Sequence, residues 1–351
     1  MAVTSALKCR HLVEMFFYLL TRSVVYSVFF VTCCVVTRSI RVLSRCRLES
    51  ASVPTAGSSQ VVVKILAAPV SELDAAVAAG RASGTVGNEG VGVVTQVGSG
   101  VSDIAVNDWV VPTTAGAGTF AEYIVADASN LAVVPNDIQV SDAAHIGGTG
   151  ATALRILSDY GASGSVIQNN ANSAVGQAVV QIAKSKGIKT INIIPDGPDA
   201  DDVVKHLYGL GADIVVTESY AESAKFGPLV SDLPTPTLGI NGAGGKSATS
   251  VARAVGDGKT VVTYGGSAPV QVPTSVLVGK GVNLTGFSLA RWSAGTAVEG
   301  RRQLASDVAA LVQDGALKAS VEETTLTDAV SAVESFNDRN PQSVTSPLVT
   351  V

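Results

Sequence analysis

From Ser141 onward, short β-branched runs alternate with helical stretches, and this alternation restricts the chain more than any other feature. The strand-like runs are Ser165–Asn169, Thr190–Ile194, Asp213–Thr217, Thr237–Asn241, Thr260–Tyr264 and Asn283–Phe287. Strands separated by helices in this way form βαβ units, so an α/β fold with a doubly wound parallel sheet is expected. Before Ser141 the pattern differs. Gln60–Ala68, Val91–Val97, Trp109–Pro112 and Phe120–Val125 are strand-like runs broken by Gly, Ser and Asn turns, which predicts a smaller β-rich lobe. After Arg302 a helix over Gln303–Asp314 and strands Val321–Thr325 and Leu348–Val351 are expected.

With 351 residues, the chain is long enough for two lobes and a sizeable core. Only 15% of residues are charged and the net charge is −5, so a nucleic-acid partner is not expected. The four cysteines, Cys9, Cys33, Cys34 and Cys46, all precede the body. The body therefore has neither a disulfide framework nor a cysteine-based zinc site.

Residues 1–50 form a basic, apolar N-terminal segment, and 48–59 a Ser/Ala/Pro/Gly-rich linker. Met15–Val36 is almost wholly apolar, and as a helix it would reach roughly 33 Å, enough to cross a bilayer. Its one charge, Arg22, lies toward one end, where it can snorkel. Arg38, Arg41, Arg45 and Arg47 follow and would put the body on the positive-inside face. A single retained transmembrane helix is one reading. A cleaved presequence, with Glu14 the one acid before Glu49, is the other.

Four segments carry a family resemblance: Val-Gly-Asn-Glu-Gly-Val-Gly-Val-Val (86–94), Val-Asn-Asp-Trp-Val-Val-Pro (106–112), Val-Ile-Gln-Asn-Asn-Ala-Asn-Ser-Ala-Val-Gly-Gln (166–177) and Val-Val-Thr-Tyr-Gly-Gly (261–266). In that order they resemble the mitochondrial trans-2-enoyl-thioester reductases of the medium-chain dehydrogenase/reductase superfamily. The resemblance implies a GroES-like lobe over 51–145, completed by 295–351, and a Rossmann nucleotide-binding domain over 146–294. It implies metal-free chemistry, not that of the zinc alcohol dehydrogenases. It also implies a mitochondrial location, with the inner membrane as the site of any anchor and the body in the matrix.

The third segment reads as strand, tight turn and helix, the arrangement that brings backbone N–H groups and a helix N-terminus to a pyrophosphate. Asn172, Ser173, Ala174, Val175 and Gly176 make that turn. The family carries Asn-Ser-Gly-Val-Gly, so Ala174 departs from it by one methyl. By the same resemblance Thr149, Tyr264, Gly265, Gly266 and Phe287 fall where the family contacts cofactor. At the end of the second strand the family has two arginines around an Asp, which hold the 2′-phosphate of NADPH. Here Pro195 and Gly197 flank Asp196, and an acid at this spacing suits a free ribose 2′-hydroxyl. NAD(H) is expected before NADP(H), if a nucleotide binds at all. Tyr264 can equally be a core tyrosine, and His145, which precedes a helix, is read as structural. Asn88 and Glu89 are expected to satisfy backbone groups where a strand begins.

Enoyl reduction needs a hydride at Cβ and a proton at Cα. The family's tyrosine, in a loop before Gly-Asn-Glu-Gly, has no counterpart, since no tyrosine lies between Tyr26 and Tyr123. Its Trp after Gly-x-Gly-Thr is Phe120, and its C-terminal Ser-Lys is Ser346-Pro347. No catalytic residue is assigned. Two functions follow. One is a membrane-anchored, catalytically impaired protein acting as an accessory subunit of a respiratory complex. The other is an active NAD(P)H-dependent enoyl-thioester or quinone reductase.

Overall fold

The computed structural model describes residues 3–10, 45–82, 85–266 and 268–351. Strands β1 (Val3–Arg10) and β2 (Arg45–Ser52) form an antiparallel pair. The stretch read as linker is thus partly a strand, because ladder hydrogen bonds to β1 override its small-residue composition. The membrane span expected at 15–36 lies outside the described residues. Among the described residues no helix is long and apolar enough to cross a membrane.

The small lobe is built on β3 (Gln60–Pro69), β4 (Val91–Val97), β5 (Trp109–Pro112), β6 (Tyr123–Asp127) and β7 (Leu131–Val134). The second sheet comprises β8 (Ser165–Gln168), β9 (Lys189–Ile194), β10 (Ile214–Thr217), β11 (Leu238–Asn241), β12 (Thr260–Thr263) and β13 (Asn283–Gly286). The chain then returns through β14 (Val321–Thr325) and β15 (Ser346–Thr350). In the seven-stranded sheet the order is β14-β15-β3-β4-β5-β7, with β6 also pairing with β3. Its return strand β15 lies between β14, to which it is parallel, and β3, to which it is antiparallel.

The six-stranded sheet is parallel throughout, in the order β10-β9-β8-β11-β12-β13. Strands β8 and β11 are buried at every position, as expected of central strands covered on both faces. The order reverses between them. In doubly wound sheets ligands bind outside the carboxyl ends of the strands at such a reversal.

Three local differences from the sequence reading have physical causes. Phe120 is 1% exposed in the small-lobe core, and the strand expected from that point starts at Tyr123. The stretch before Gly-Asn-Glu-Gly holds a helix, Glu72–Ala78, whose capping box pairs the Ser71 side chain with the Asp74 N–H and the Asp74 carboxylate with the Ser71 N–H. The helix expected at 303 begins at Val298 and buries Leu304, Ala305, Val308, Ala309 and Val312.

The lobes are not separate cores. Ala67, Val91, Val111 and Leu348 of the small-lobe sheet belong to the same apolar cluster as Leu154, Val179, Leu238 and Val308. The cleft beside the strand reversal is therefore bounded by two lobes packed on one core.

Candidate functional site

Strand β8 ends at Gln168, and the chain turns through Asn169–Ser173 into the helix Ala174–Ser185. Asn170 takes a left-handed conformation, φ 53°. Ser173 caps the helix, its Oγ accepting the Gly176 N–H at 3.1 Å and donating to the Asn170 carbonyl at 2.7 Å. Gly176 lies close under this turn. A Cβ there would stand 2.6 Å from both the Asn170 and the Ala171 carbonyl oxygens. The cap uses the Gly176 N–H, and the first-turn N–H groups of Ala174 and Val175 lie at the positive end of the helix. Asn172 Oδ1 is buried there without a hydrogen-bond partner. A close-packed glycine and an open helix N-terminus together fit a dinucleotide pyrophosphate.

Across the reversal a row of buried side chains joins three strand ends. Asn169 Nδ2 donates to Asn241 Oδ1 at 2.8 Å, and Asn241 Nδ2 donates to Thr263 Oγ1 at 3.0 Å. Asn169 Oδ1 in turn accepts the Gly242 N–H at 2.7 Å. This ladder fixes the ends of β8, β11 and β12 relative to one another. Tyr264, just beyond β12, lies against Gly242, where a Cβ would be 2.4 Å from its hydroxyl. Its Oη is 3.5 Å from Ser173 Oγ. Burial pushes the phenol up to about 12, opposed by the Ser173 contact and assisted by the Glu72 charge.

The residues singled out from sequence divide into two groups. Asn172, Ser173, Ala174, Val175, Gly176, Tyr264, Gly265 and Gly266 gather around the strand reversal. Gly266, with φ 104°, backs onto Ala243, whose carbonyl carbon and oxygen would each be 2.7 Å from an added Cβ. The Glu72 carboxylate of the small lobe approaches Gly265 to within 3.2 Å of where a Cβ would stand. The helix bearing Glu72 leads into the stretch before Gly-Asn-Glu-Gly, where the resemblance puts a tyrosine and this chain has none. The other group is committed elsewhere. Phe287 is 9% exposed, packed edge-on against Tyr160 with ring centroids 6.4 Å apart. Asp196 accepts the Ser219 N–H and hydroxyl, the latter at 2.8 Å. Thr149 lines a small cavity with His145, Gly150, Gln177 and Ala178, which Ala174 of the first group also borders.

Thr149 is bound to Glu89. The Glu89 carboxylate accepts the Thr149 N–H at 2.8 Å and its hydroxyl at 3.0 Å. Asn88 donates to Asp74 at 2.7 Å and accepts the Gly116 N–H at 2.9 Å. Both residues satisfy neighbouring groups, and Glu89 does so on the turn that carries Thr149. His145 follows the helix Val140–Ala144 and precedes the π-helical turn Ile146–Gly150, in keeping with the sequence reading that it precedes a helix. Its Nδ1 donates to the Ser141 carbonyl at 2.7 Å, and its Nε2 has no partner. Among the described residues no group of three or more His, Cys, Asp or Glu is placed to hold a metal ion.

Burial pushes the Glu89 carboxyl above its ordinary range, against the pull of His145 and of the Thr149 bonds. Burial raises Asp74 as well, against its hydrogen bonds to Ser71, Gly87 and Asn88. Above the unfolded carboxylate value of about 4.3 the native state keeps protons that the unfolded chain has lost, so stability falls as pH rises toward the folded values. Urea unfolding of wild type and Glu89→Gln between about pH 5 and 7 checks this. The variant is expected to lose stability less steeply. Parallel curves would count against a protonated Glu89.

Comparison with known proteins bears on this geometry. A family described as "Alcohol dehydrogenase GroES-like domain" matches residues 57–136. The mitochondrial enoyl-acyl-carrier-protein reductase of Xenopus tropicalis is 39% identical over 285 residues, covering 77% of this chain and 81% of that protein. The Homo sapiens protein of the same name is 37% identical over 299 residues, covering 82% and 80%. Among solved structures, one of an Etr1p/NADP/crotonyl-CoA complex superposes with a TM-score of 0.79 at 27% identity, covering 87% of this chain and 95% of that one. A mitochondrial 2-enoyl thioester reductase Etr1p/Etr2p heterodimer from Candida tropicalis gives 0.78, with the same identity and coverage.

Proposed function

Because the chain belongs to the mitochondrial enoyl-acyl-carrier-protein reductase family, we propose that it reduces the 2,3-double bond of a 2-enoyl thioester in the mitochondrion, with NADH as reductant. The observation that carries this reading is the nucleotide turn: Gly176 against its own turn, beneath an open helix N-terminus at the strand reversal. When bound, the nucleotide supplies the hydride for Cβ. The residues of this chain do the rest. Ala174 and Val175 present N–H groups to the pyrophosphate, and Gly176 permits its approach. Tyr264, Gly265 and Gly266 wall the cleft toward the nicotinamide end, and Thr149 is held by Glu89 beside Ala174. The substrate Cα gains its proton from water, since Glu72, and no tyrosine among the described residues of the small lobe, approaches Gly265.

A positioned general acid contributes about 10²–10⁴-fold. Turnover is therefore expected above background yet lower by about that factor than in relatives that carry the tyrosine. Steady-state oxidation of NADH and NADPH with a 2-enoyl thioester checks this. No thioester-dependent oxidation of either nucleotide would sink the proposal.

The subunit reading rests on the missing tyrosine, arginines and lysine, and nothing among the described residues supports a partner complex. The anchor is a separate proposal, resting on apolar residues 15–36 and the arginines after them. Alkaline carbonate extraction of mitochondria is then expected to leave the protein in the pellet. Release into the supernatant would count against an anchor.

A further inference from the structure

The loop after β9, Pro195–Asp199, is held by a residue far away in sequence. Gln342, 3% exposed, lies shortly before β15 and reaches into that loop. Its Oε1 accepts the Asp199 N–H at 2.9 Å, and its Nε2 donates to the Pro195 carbonyl at 3.3 Å. A Cβ on Gly197 would stand 2.2 Å from that Oε1 and 2.6 Å from the amide carbon. The same segment grips the turn before the helix Ala174–Ser185, where Asn172 Nδ2 donates to the Pro341 and Ser343 carbonyls at 2.9 and 3.0 Å. One stretch of chain thus braces both loops on which a dinucleotide would rest.

We propose that Gln342 selects the cofactor: its neutral amide fills the space beside Gly197 that a 2′-phosphate, or any cationic side chain at 197, would need. The site is thereby restricted to nucleotides with a free ribose 2′-hydroxyl. This rests on the nucleotide-dependent reading above and deepens it. A 2′-phosphate brings close to two charges and needs charge-assisted donors. An amide anchored at both ends offers at most one further N–H. Gln342 cannot step aside freely, because doing so leaves the Asp199 N–H and its own buried amide without partners. Gly197 lacks a side chain where Gln342 sits, so the two residues form one unit.

The test is nucleotide titration of the full chain by calorimetry, with NADH and NADPH, for wild type, Gln342→Ala, Gly197→Arg and the double variant. Gln342→Ala is expected to raise the affinity ratio of NADPH to NADH about tenfold, a size typical of coupled neighbours. Gly197→Arg alone is expected to weaken both nucleotides, because the arginine collides with Gln342. The double variant is expected to bind NADPH about tenfold or more tightly than the two single changes combine to give. Additive effects, with the ratio unchanged in Gln342→Ala, would overturn the proposal and leave the reductase reading intact. Should Gly197→Arg fail to fold, the ratio in Gln342→Ala decides alone. A wild type that binds neither nucleotide would remove the reductase reading, and this inference with it.

Discussion

Purified protein is expected to bind NADH at least about a hundredfold more tightly than NADPH. The relatives' resemblance places two arginines where this chain has Pro195 and Gly197. Two absent charge-assisted bonds, each worth about 1.5–3 kcal/mol, amount to about 3–6 kcal/mol, or a hundredfold and more. The surroundings add repulsion. Asp196 lies in the loop, Asp201 and Asp202 open the next helix, and Glu218 opens another. The lysines that flank the loop in sequence are both paired, Lys189 with Asp213 at 2.8 Å and Lys205 with Asp202 at 3.0 Å. Fluorescence titration with both nucleotides measures the ratio directly. Equal affinities, or tighter NADPH, would refute the expectation and direct attention to a cation outside this loop.

Gly176→Ala should abolish nucleotide binding while leaving most of the fold in place. The added methyl would sit 2.6 Å from two carbonyl oxygens and 2.7 Å from the Ala171 carbonyl carbon. All three atoms are backbone, so no flexible side chain can yield. Overpacking of this kind costs about 1–3 kcal/mol. The turn must then move, and its N–H groups move with it. An affinity loss of more than about a hundredfold is expected, alongside an unfolding free energy lower by about 1–3 kcal/mol. Unchanged affinity would show that the pyrophosphate does not rest on this turn.

Much of the architecture could be read from the chain because its strands are short β-branched runs between turn formers. Trp109–Pro112 and Val321–Thr325 match the structure to the residue. Leu131–Val134 was not foreseen, since it follows another strand after a single 3₁₀ turn. The helix Glu72–Ala78 escaped because its alanines give little periodic contrast, although Ser71 and Asp74 carried the signal of its cap.

The site was legible where it is local in sequence. Ser173 and Gly176 sit within one turn and could be assigned from spacing. The Asn169–Asn241–Thr263 ladder could not, because those asparagines become neighbours only when β11 crosses to lie beside β8. Gln342 was invisible for the same reason. Phe287 was named from the resemblance alone, and its ring packs into the core, a tertiary contact that no local signal carries.

The interior position of β15 has a consequence for how the protein is made. Strand β3 leaves the ribosome early, but the edge at Ala67–Pro69 finds its partner, Leu348–Thr350, only after the entire six-stranded sheet has been synthesised. Until then a nascent chain carries unpaired backbone groups beside apolar residues, the situation that invites wrong pairing with another chain. All six strands of the parallel sheet are available before that, whereas the small-lobe sheet must wait for its return strand. Newly made protein should therefore depend on chaperones for longer than its compact nucleotide lobe suggests, and chains cut short before 346 should aggregate instead of accumulating as a usable half.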